Sequence, residues 1–400
     1  MLVMLRNLMA KKITKFLLAL FMLSVGFFFY LDLHLYLRPV PKDFEQLIKQ
    51  QMESAKFPSM SVLVFKEEKV VFAKSFGYAN IENKTPATPE SLYQIASVSK
   101  LVTATAVMQL FEQGRLALDD DINRYLPFAV RNPRHPNMPI TFRMLLTHSS
   151  GINDGSAYFD SYTLGLSEDP LESLEFYIKN YLEPEGKYYD VEDNFIDAKP
   201  GTQLNYSNIG FGLLGLLVEQ LSGVPFDEYC RINIFEPLGM TKTVWFNKDL
   251  DKSLAAMPYG YNVFNKSFYP LGYFSFSNYP DGALKTSTSE FMRFLYLFTN
   301  KGITLDGQRF LKSETVENML RPQIPSVSDI PGLGWANMSF GNMHGGSDPG
   351  VATYVLISKE EKWGVIMFAN SGGLPAWRTE LGLEIRDELY DYIKNNGVPF

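Results

Sequence analysis

Ser97-Val98-Ser99-Lys100 is the one Ser-x-x-Lys string in the chain. Residues three apart share a helix face, so a lysine stem at position 100 would pass beside the hydroxyl at 97. A helix start would add unpaired N–H groups and the positive end of the helix dipole. Both favour a serine alkoxide and the oxyanion that forms when it attacks a carbonyl. A lysine crowded into such a place is expected to lose its proton near neutral pH and act as base. The bland reading is an ordinary helix-capping serine followed by a surface lysine.

Two further strings supply what an acyl-transfer site would need. In Leu204-Asn205-Tyr206-Ser207-Asn208, a tyrosine near a cationic lysine could shuttle a proton. The asparagine two residues on could hold a substrate amide. Tyr78-Ala79-Asn80 has the same spelling, but it ends an expected strand and reads as structural. In His344-Gly345-Gly346-Ser347, the glycines would let substrate approach the backbone. The N–H of Ser347 could pair with that of Ser97 as an oxyanion hole.

Other chemistries find little support. Cys230 is the only cysteine, which excludes an intramolecular disulfide, and it sits in a stretch that reads as a buried helical turn. The four histidines, His34, His135, His148 and His344, never pair at zinc-ligand spacing, so no metal and no cofactor are expected. A net charge of −7 gives no overall basic footprint for nucleic acid.

The elements that must position these residues follow from pattern. Ser61–Phe65 and Val70–Phe76 read as a hairpin around Lys66-Glu67-Glu68-Lys69, and Val351–Ser358 with Trp363–Asn370 as another around Lys359-Glu360-Glu361-Lys362. Helices are expected over Lys42–Lys56, over Ser97–Gly114, over Ile209–Leu221 before Gly223, and over Ala376–Asn395. Strands first, helices between and strands last predict an α/β sandwich whose terminal strands pair in one antiparallel sheet. Between Asp154 and Asp197 there are twelve acidic residues and two lysines, interleaved with aromatics. This stretch (153–197) reads as an insertion with a solvated acidic surface, or as a rim that attracts cationic groups.

At the N-terminus, Arg6, Lys11, Lys12 and Lys15 precede the uncharged run Phe16–Leu31, and apolar residues continue to Leu37. The expectation is a short cytoplasmic segment (1–12), a signal-anchor or transmembrane helix (13–37), and a catalytic domain (38–400) held outside the cytoplasm. Secretion after cleavage of that segment is the alternative.

Taken together and in this order, the three strings resemble the penicillin-recognising serine hydrolases: class C β-lactamases and the related DD-peptidases, D-aminopeptidases and esterases. Leu145-Leu146-Thr147-His148-Ser149-Ser150-Gly151, Pro200-Gly201 followed by Tyr206 to Gly215, Pro237-Leu238-Gly239-Met240 and Gly282-Ala283-Leu284 are similar to further family segments. The resemblance runs from about Phe44 to the C-terminus. It implies a β-lactamase/transpeptidase-like fold, with an antiparallel sheet flanked by helices and a mostly helical subdomain. It implies Ser97 as nucleophile, Lys100 as its base and Tyr206 as proton relay. Asn208, His344, Gly346 and Ser347 would bind substrate, and His148 would have a structural role in its loop. The expected substrate is a small molecule or peptide, cell-wall fragments included, cleaved at an amide or ester bond. The rival readings are a DD-peptidase, D-aminopeptidase or β-lactamase proper, and a non-catalytic membrane-anchored binding protein. Dedicated class C β-lactamases carry lysine where this chain has His344, which speaks against tight recognition of a β-lactam carboxylate.

Overall fold

The computed structural model describes residues 44–161, 168–358 and 362–372. The N-terminal apolar run and the helix expected over Ala376–Asn395 lie outside these residues. The first described element is the helix α1 (Phe44–Ala55), with Glu45 in its first turn. It belongs to a separate unit, and the remaining elements belong to a second one that begins at Lys56.

Seven strands form the main sheet: β1 (Ser59–Lys66), β2 (Lys69–Asn80), β3 (Thr85–Pro86), β4 (Ala336–Met338), β5 (Gly341–Asp348), β6 (Val351–Ser358) and β7 (Trp363–Ala369). Their order is β3-β2-β1-β7-β6-β5-β4, and every neighbouring pair is antiparallel. Both expected hairpins form. The first and last strands meet as anticipated, with Met60 opposite Ala369 and Lys66 opposite Trp363. All seven residues of β7 are buried, which is why it reads as a continuous apolar run rather than an alternating one. Tyr78, set aside as structural, lies in β2 opposite Pro86.

Helices α2 (Lys100–Glu112), α3 (Leu174–Leu182) and α4 (Asn208–Ser222) build a helical part in which α2 and α3 pack on α4, and α5 (Thr288–Thr299) follows them in the chain. α5 lies on the sheet, where Phe291 meets Phe368 with ring centroids 5.8 Å apart. The Ser287 hydroxyl accepts from the Glu290 N–H at its start, the arrangement expected of a serine three residues before a glutamate. α2 and α4 are apolar around most of their circumference, and both are core helices. α4 stops at Gly223, whose φ of +80° gives the left-handed cap that glycine adopts without strain.

The stretch 153–197 is not a solvated surface throughout. Tyr158, Tyr177 and Tyr181 are buried in the main core, while many of the charged residues and the apolar Phe159, Leu171 and Phe176 face water. Periodicity missed this because its helices are short (Ser156–Asp160, Leu174–Leu182 and Val191–Asn194). Cys230 is buried in a helical turn as expected, and burial pushes its thiol well above the usual range, which leaves it unreactive.

One close approach governs the rest. The strand β5 lies against a 3-10 turn at Ala96–Ser99, and the Thr353 hydroxyl of β6 donates to the Ile95 carbonyl at 2.7 Å. A Cβ at Gly346 would come within 2.5 Å of that carbonyl oxygen and 3.1 Å of Ala96 Cβ. The glycine is therefore needed for sheet and turn to meet. A Cβ at Gly345 would find only the Thr353 carbonyl, at 3.9 Å. Gly346→Ala is expected to destabilise the fold by about 1–3 kcal/mol through overpacking, and Gly345→Ala to stay within about 0.5 kcal/mol of the parent. Denaturant unfolding of the two variants checks this.

Candidate active site

The serine of Ser-x-x-Lys does not begin an α-helix. Ala96 takes a left-handed φ of +46°, a conformation that costs a non-glycine residue about 1–3 kcal/mol. The chain then makes the 3-10 turn Ala96–Ser99, and the α-helix starts only at Lys100. The turn is held from three sides. Ile95 N–H donates to the Leu284 carbonyl and Val98 N–H to the Ile95 carbonyl, while Thr353 holds that same carbonyl from β6. The result is a half-buried Ser97 beside a Lys100 that has no exposed surface.

Lys100 Nζ lies 3.0 Å from Ser97 Oγ, 2.6 Å from Asn208 Oδ1 and 2.8 Å from the Asp281 carbonyl. The Asp281 carboxylate is a further neighbour at 3.6 Å. Tyr206 offers its ring face, with the centroid 5.0 Å from Nζ. Burial pushes the lysine pKa down, but the attraction of Tyr206, Asp281 and Asp154 outweighs it, and the net direction is upward. The net direction keeps the proton on the amine, where crowding alone pointed to its loss. Sequence reasoning counted the crowding around Lys100 and did not see the carboxylates.

Tyr206 is 46% exposed, so its phenol opens on the cleft. His148 fixes it from three directions. The His148 ring stacks on Tyr206 at 4.1 Å, its carbonyl accepts from the Asn205 N–H at 2.7 Å, and its Nδ1 accepts from the Ser207 N–H at 3.1 Å. A ring nitrogen that accepts from a backbone N–H has no hydrogen, so neutral His148 carries its proton on Nε2. Burial, with the nearby Lys100 charge, holds its pKa well below the usual value.

Asn208 spans two partners. Its Oδ1 accepts from Lys100, and its Nδ2 donates to Asp154 Oδ2 at 2.9 Å. One amide hydrogen is left for a substrate. Asp154 sits at the start of α4 and accepts from the backbone N–H groups of Asn208 and Ile209, and from the Ser207 hydroxyl. It thus fills positions that the first turn of a helix leaves open. Burial still pushes its carboxyl upward. Asn278 Nδ2 donates to the Asn208 carbonyl at 2.9 Å. Gly212 and Gly215 of α4 leave the space that Asn278 and Pro280 occupy, which brings Asp281 to Lys100.

The third string lies on β5. His344 is buried, with Nδ1 2.7 Å from the Gly345 carbonyl oxygen. A carbonyl can only accept, so Nδ1 carries the proton and Nε2 is an acceptor. Burial, reinforced by the Lys100 charge, lowers the His344 pKa to about 4, and the ring is neutral at pH 7. Gly346 serves the contact between sheet and turn. Ser347 is exposed and pairs with Ala352.

Asp154, Asp281, Tyr158 and Asn278 are the site residues that sequence reasoning missed. Gly282-Ala283-Leu284 was noted, yet nothing in that string showed that the preceding aspartate faces the lysine. Among the described residues no His, Cys, Asp and Glu cluster is arranged to hold a metal.

Comparisons with known proteins fit this geometry. Residues 44–388 match the Beta-lactamase family. Protein flp of Staphylococcus aureus (strain N315) is 23% identical over 329 residues, covering 82% of this chain and 62% of the relative. The chain thus spans less than two thirds of that relative's length. Among solved structures, the octameric penicillin-binding protein homologue from Pyrococcus abyssi is 29% identical, with a TM-score of 0.65 over 86% of this chain and 76% of its own. D-amino acid amidase from Ochrobactrum anthropi SV3, at 20% identity, shares the fold with a TM-score of 0.67 over 88% of this chain and 99% of its own. With the family match running through every segment that builds the site, the chain belongs to the β-lactamase family.

Proposed function

We propose that this protein is a serine hydrolase that cleaves an amide or ester bond through an acyl-enzyme on Ser97. The observation that carries the reading is the half-buried Ser97 hydroxyl 3.0 Å from the fully buried Lys100 amine. A cation fixed there stabilises an alkoxide at Ser97 without reorganisation, because the surroundings are already polarised for it. In the proposed cycle Ser97 Oγ attacks the carbonyl carbon as its O–H bond breaks. The proton passes through the Tyr206 hydroxyl, which takes it up as it gives its own to the leaving nitrogen or oxygen. Water then attacks the acyl carbon, gives its proton up by the same route, and restores the Ser97 hydroxyl. The Ser97 and Ser347 N–H groups are proposed to hold the oxyanion, and the free Asn208 amide hydrogen to hold the substrate.

A neutral His344 favours substrates without a carboxylate at that subsite. Simple esters and D-amino-acid amides or peptides fit better than penicillins, which carry an anion there. Anchoring through residues 13–37, with the catalytic domain outside the cytoplasm, is proposed on the basic-flanked apolar run alone.

A fluorophosphonate is expected to add its mass to the native chain and to leave Ser97→Ala unlabelled, read by intact-protein mass spectrometry. Labelling that persists in the variant refutes the nucleophile. His344→Lys is expected to raise kcat/KM for a carboxylate-bearing cephem by about tenfold over an uncharged ester, the worth of one charge-assisted hydrogen bond. An unchanged ratio takes position 344 out of substrate recognition. The full chain is expected to stay with membranes through an alkaline carbonate wash, and a chain beginning at residue 38 to be released. Recovery in the soluble fraction of a chain shortened by the apolar run points instead to a cleaved signal.

A further inference from the structure

We propose that the Asp281 carboxylate is a positioning residue for Lys100. It lies 3.6 Å from Nζ and holds the amine charged and in place, so that Lys100 serves Ser97 as a fixed cation and not as a proton acceptor. The inference rests on the acyl-transfer reading above and adds a residue that the three strings do not contain.

The geometry points this way before any titration is considered. Nζ has three positions to fill after its bond to Cε. Asn208 Oδ1 and the Asp281 carbonyl can only accept, so two of the positions are N–H bonds. The third faces Ser97 Oγ at 3.0 Å. It would be a lone pair in a neutral amine and a third N–H in an ammonium. Asp281 decides between them. Its carboxyl is 2% exposed, and Oδ2 accepts from the Tyr158 hydroxyl at 2.8 Å. Oδ1 is buried with no hydrogen-bond partner among the described residues. A carboxylate with one neutral donor would be costly in that place without a cation. Lys100 Nζ, 3.6 Å away, is that cation. An ionised Asp281 favours the charged form of the amine beside it, and the ion pair places the third hydrogen on Nζ.

The other titratable groups around the pair come from several elements. Asp154 acts on both Lys100 and Asp281, and its negative charge favours the ammonium. Tyr158 and Tyr177 face Asp281 from the stretch 153–197. Tyr206 faces Lys100 from the start of α4. His148 and His344 feel the lysine charge, and burial holds both neutral at pH 7. Asp348 of β5 lies beside Gly282, the next residue along. Burial raises the Asp281 carboxyl to about 7, against the opposing pull of Lys100. Its ionised form therefore grows as pH rises through neutrality, and the ammonium is held most firmly on the alkaline side.

The test is the pH profile of kcat/KM on an uncharged p-nitrophenyl ester, per mole of Ser97 that a fluorophosphonate can label. The native enzyme should hold its rate into the alkaline range and then fall as Lys100 finally loses its proton. Asp281→Asn removes the anion and leaves the lysine buried, so the ammonium should be lost at lower pH. The alkaline fall should move down by about one pH unit, with up to about tenfold loss of rate at pH values above the shifted fall and little change at pH 7.5. Asp281→Ala leaves no polar group in the buried position and should show the same direction, which covers misfolding of the asparagine variant. A neutral lysine acting as acceptor predicts the opposite sign: either variant would be faster at pH 7.5, and the native rate would rise on the alkaline side. That result, or variant profiles that match the native one, overturns the proposal. A native chain that no fluorophosphonate labels at Ser97 overturns the functional reading itself, which separates the two failures.

Discussion

A buried positive charge organises this site. Lys100 has no exposed surface, and an ammonium removed from water costs several kcal/mol unless acceptors replace the lost solvent. The acceptors come from segments far apart in the chain: Ser97 in the same turn, Asn208 at the start of α4, and Asp281 in the turn that lies on α4. Asp154 adds its charge from a fourth segment. Each must arrive within hydrogen-bond reach, or the charge is left uncompensated. The electrostatic demand of one side chain thus ties together the ends of two helices and two loops.

Steric permission makes that convergence possible. Gly346 lets β5 come up against the turn that carries Ser97, and Gly212 and Gly215 let the turn of Asn278 and Pro280 settle on α4. Ala96, by contrast, has a Cβ and still adopts a left-handed φ. The surrounding hydrogen bonds from Leu284 and Thr353 hold it there. Strain at the residue before the serine is therefore balanced by contacts made on both sides of the site.

The two histidines near the site have different tasks, and their tautomers show it. His148 accepts a backbone hydrogen through Nδ1 and stacks on Tyr206, so it sets the position of the phenol. His344 donates through Nδ1 to the next carbonyl and presents a neutral Nε2. Neither adds a positive charge at pH 7. Lys100 is thus the cation set against Ser97, and position 344 on β5 adds no second one. Within a shared fold such local differences decide which acyl groups are accepted.

Much of this was legible in the sequence. Both hairpins, the pairing of the first and last strands, the two core helices and the three strings of the site could be read from apolar periodicity and from short motifs. These depend on neighbours within a few residues, where local geometry dominates. The start of the helix at Lys100 was misplaced because the left-handed Ala96 is held by β6 and by Leu284, which no local rule includes. The acidic stretch was misread because Tyr158, Tyr177 and Tyr181 are drawn inward by partners distant in sequence. The residue types around Ser97 were thus a property of the sequence itself. The charge on Lys100 was decided only by the tertiary structure, because it depends on Tyr206 and on the carboxylates of Asp281 and Asp154. A field falls off with distance through space, and distance through space is set by packing, not by position along the chain.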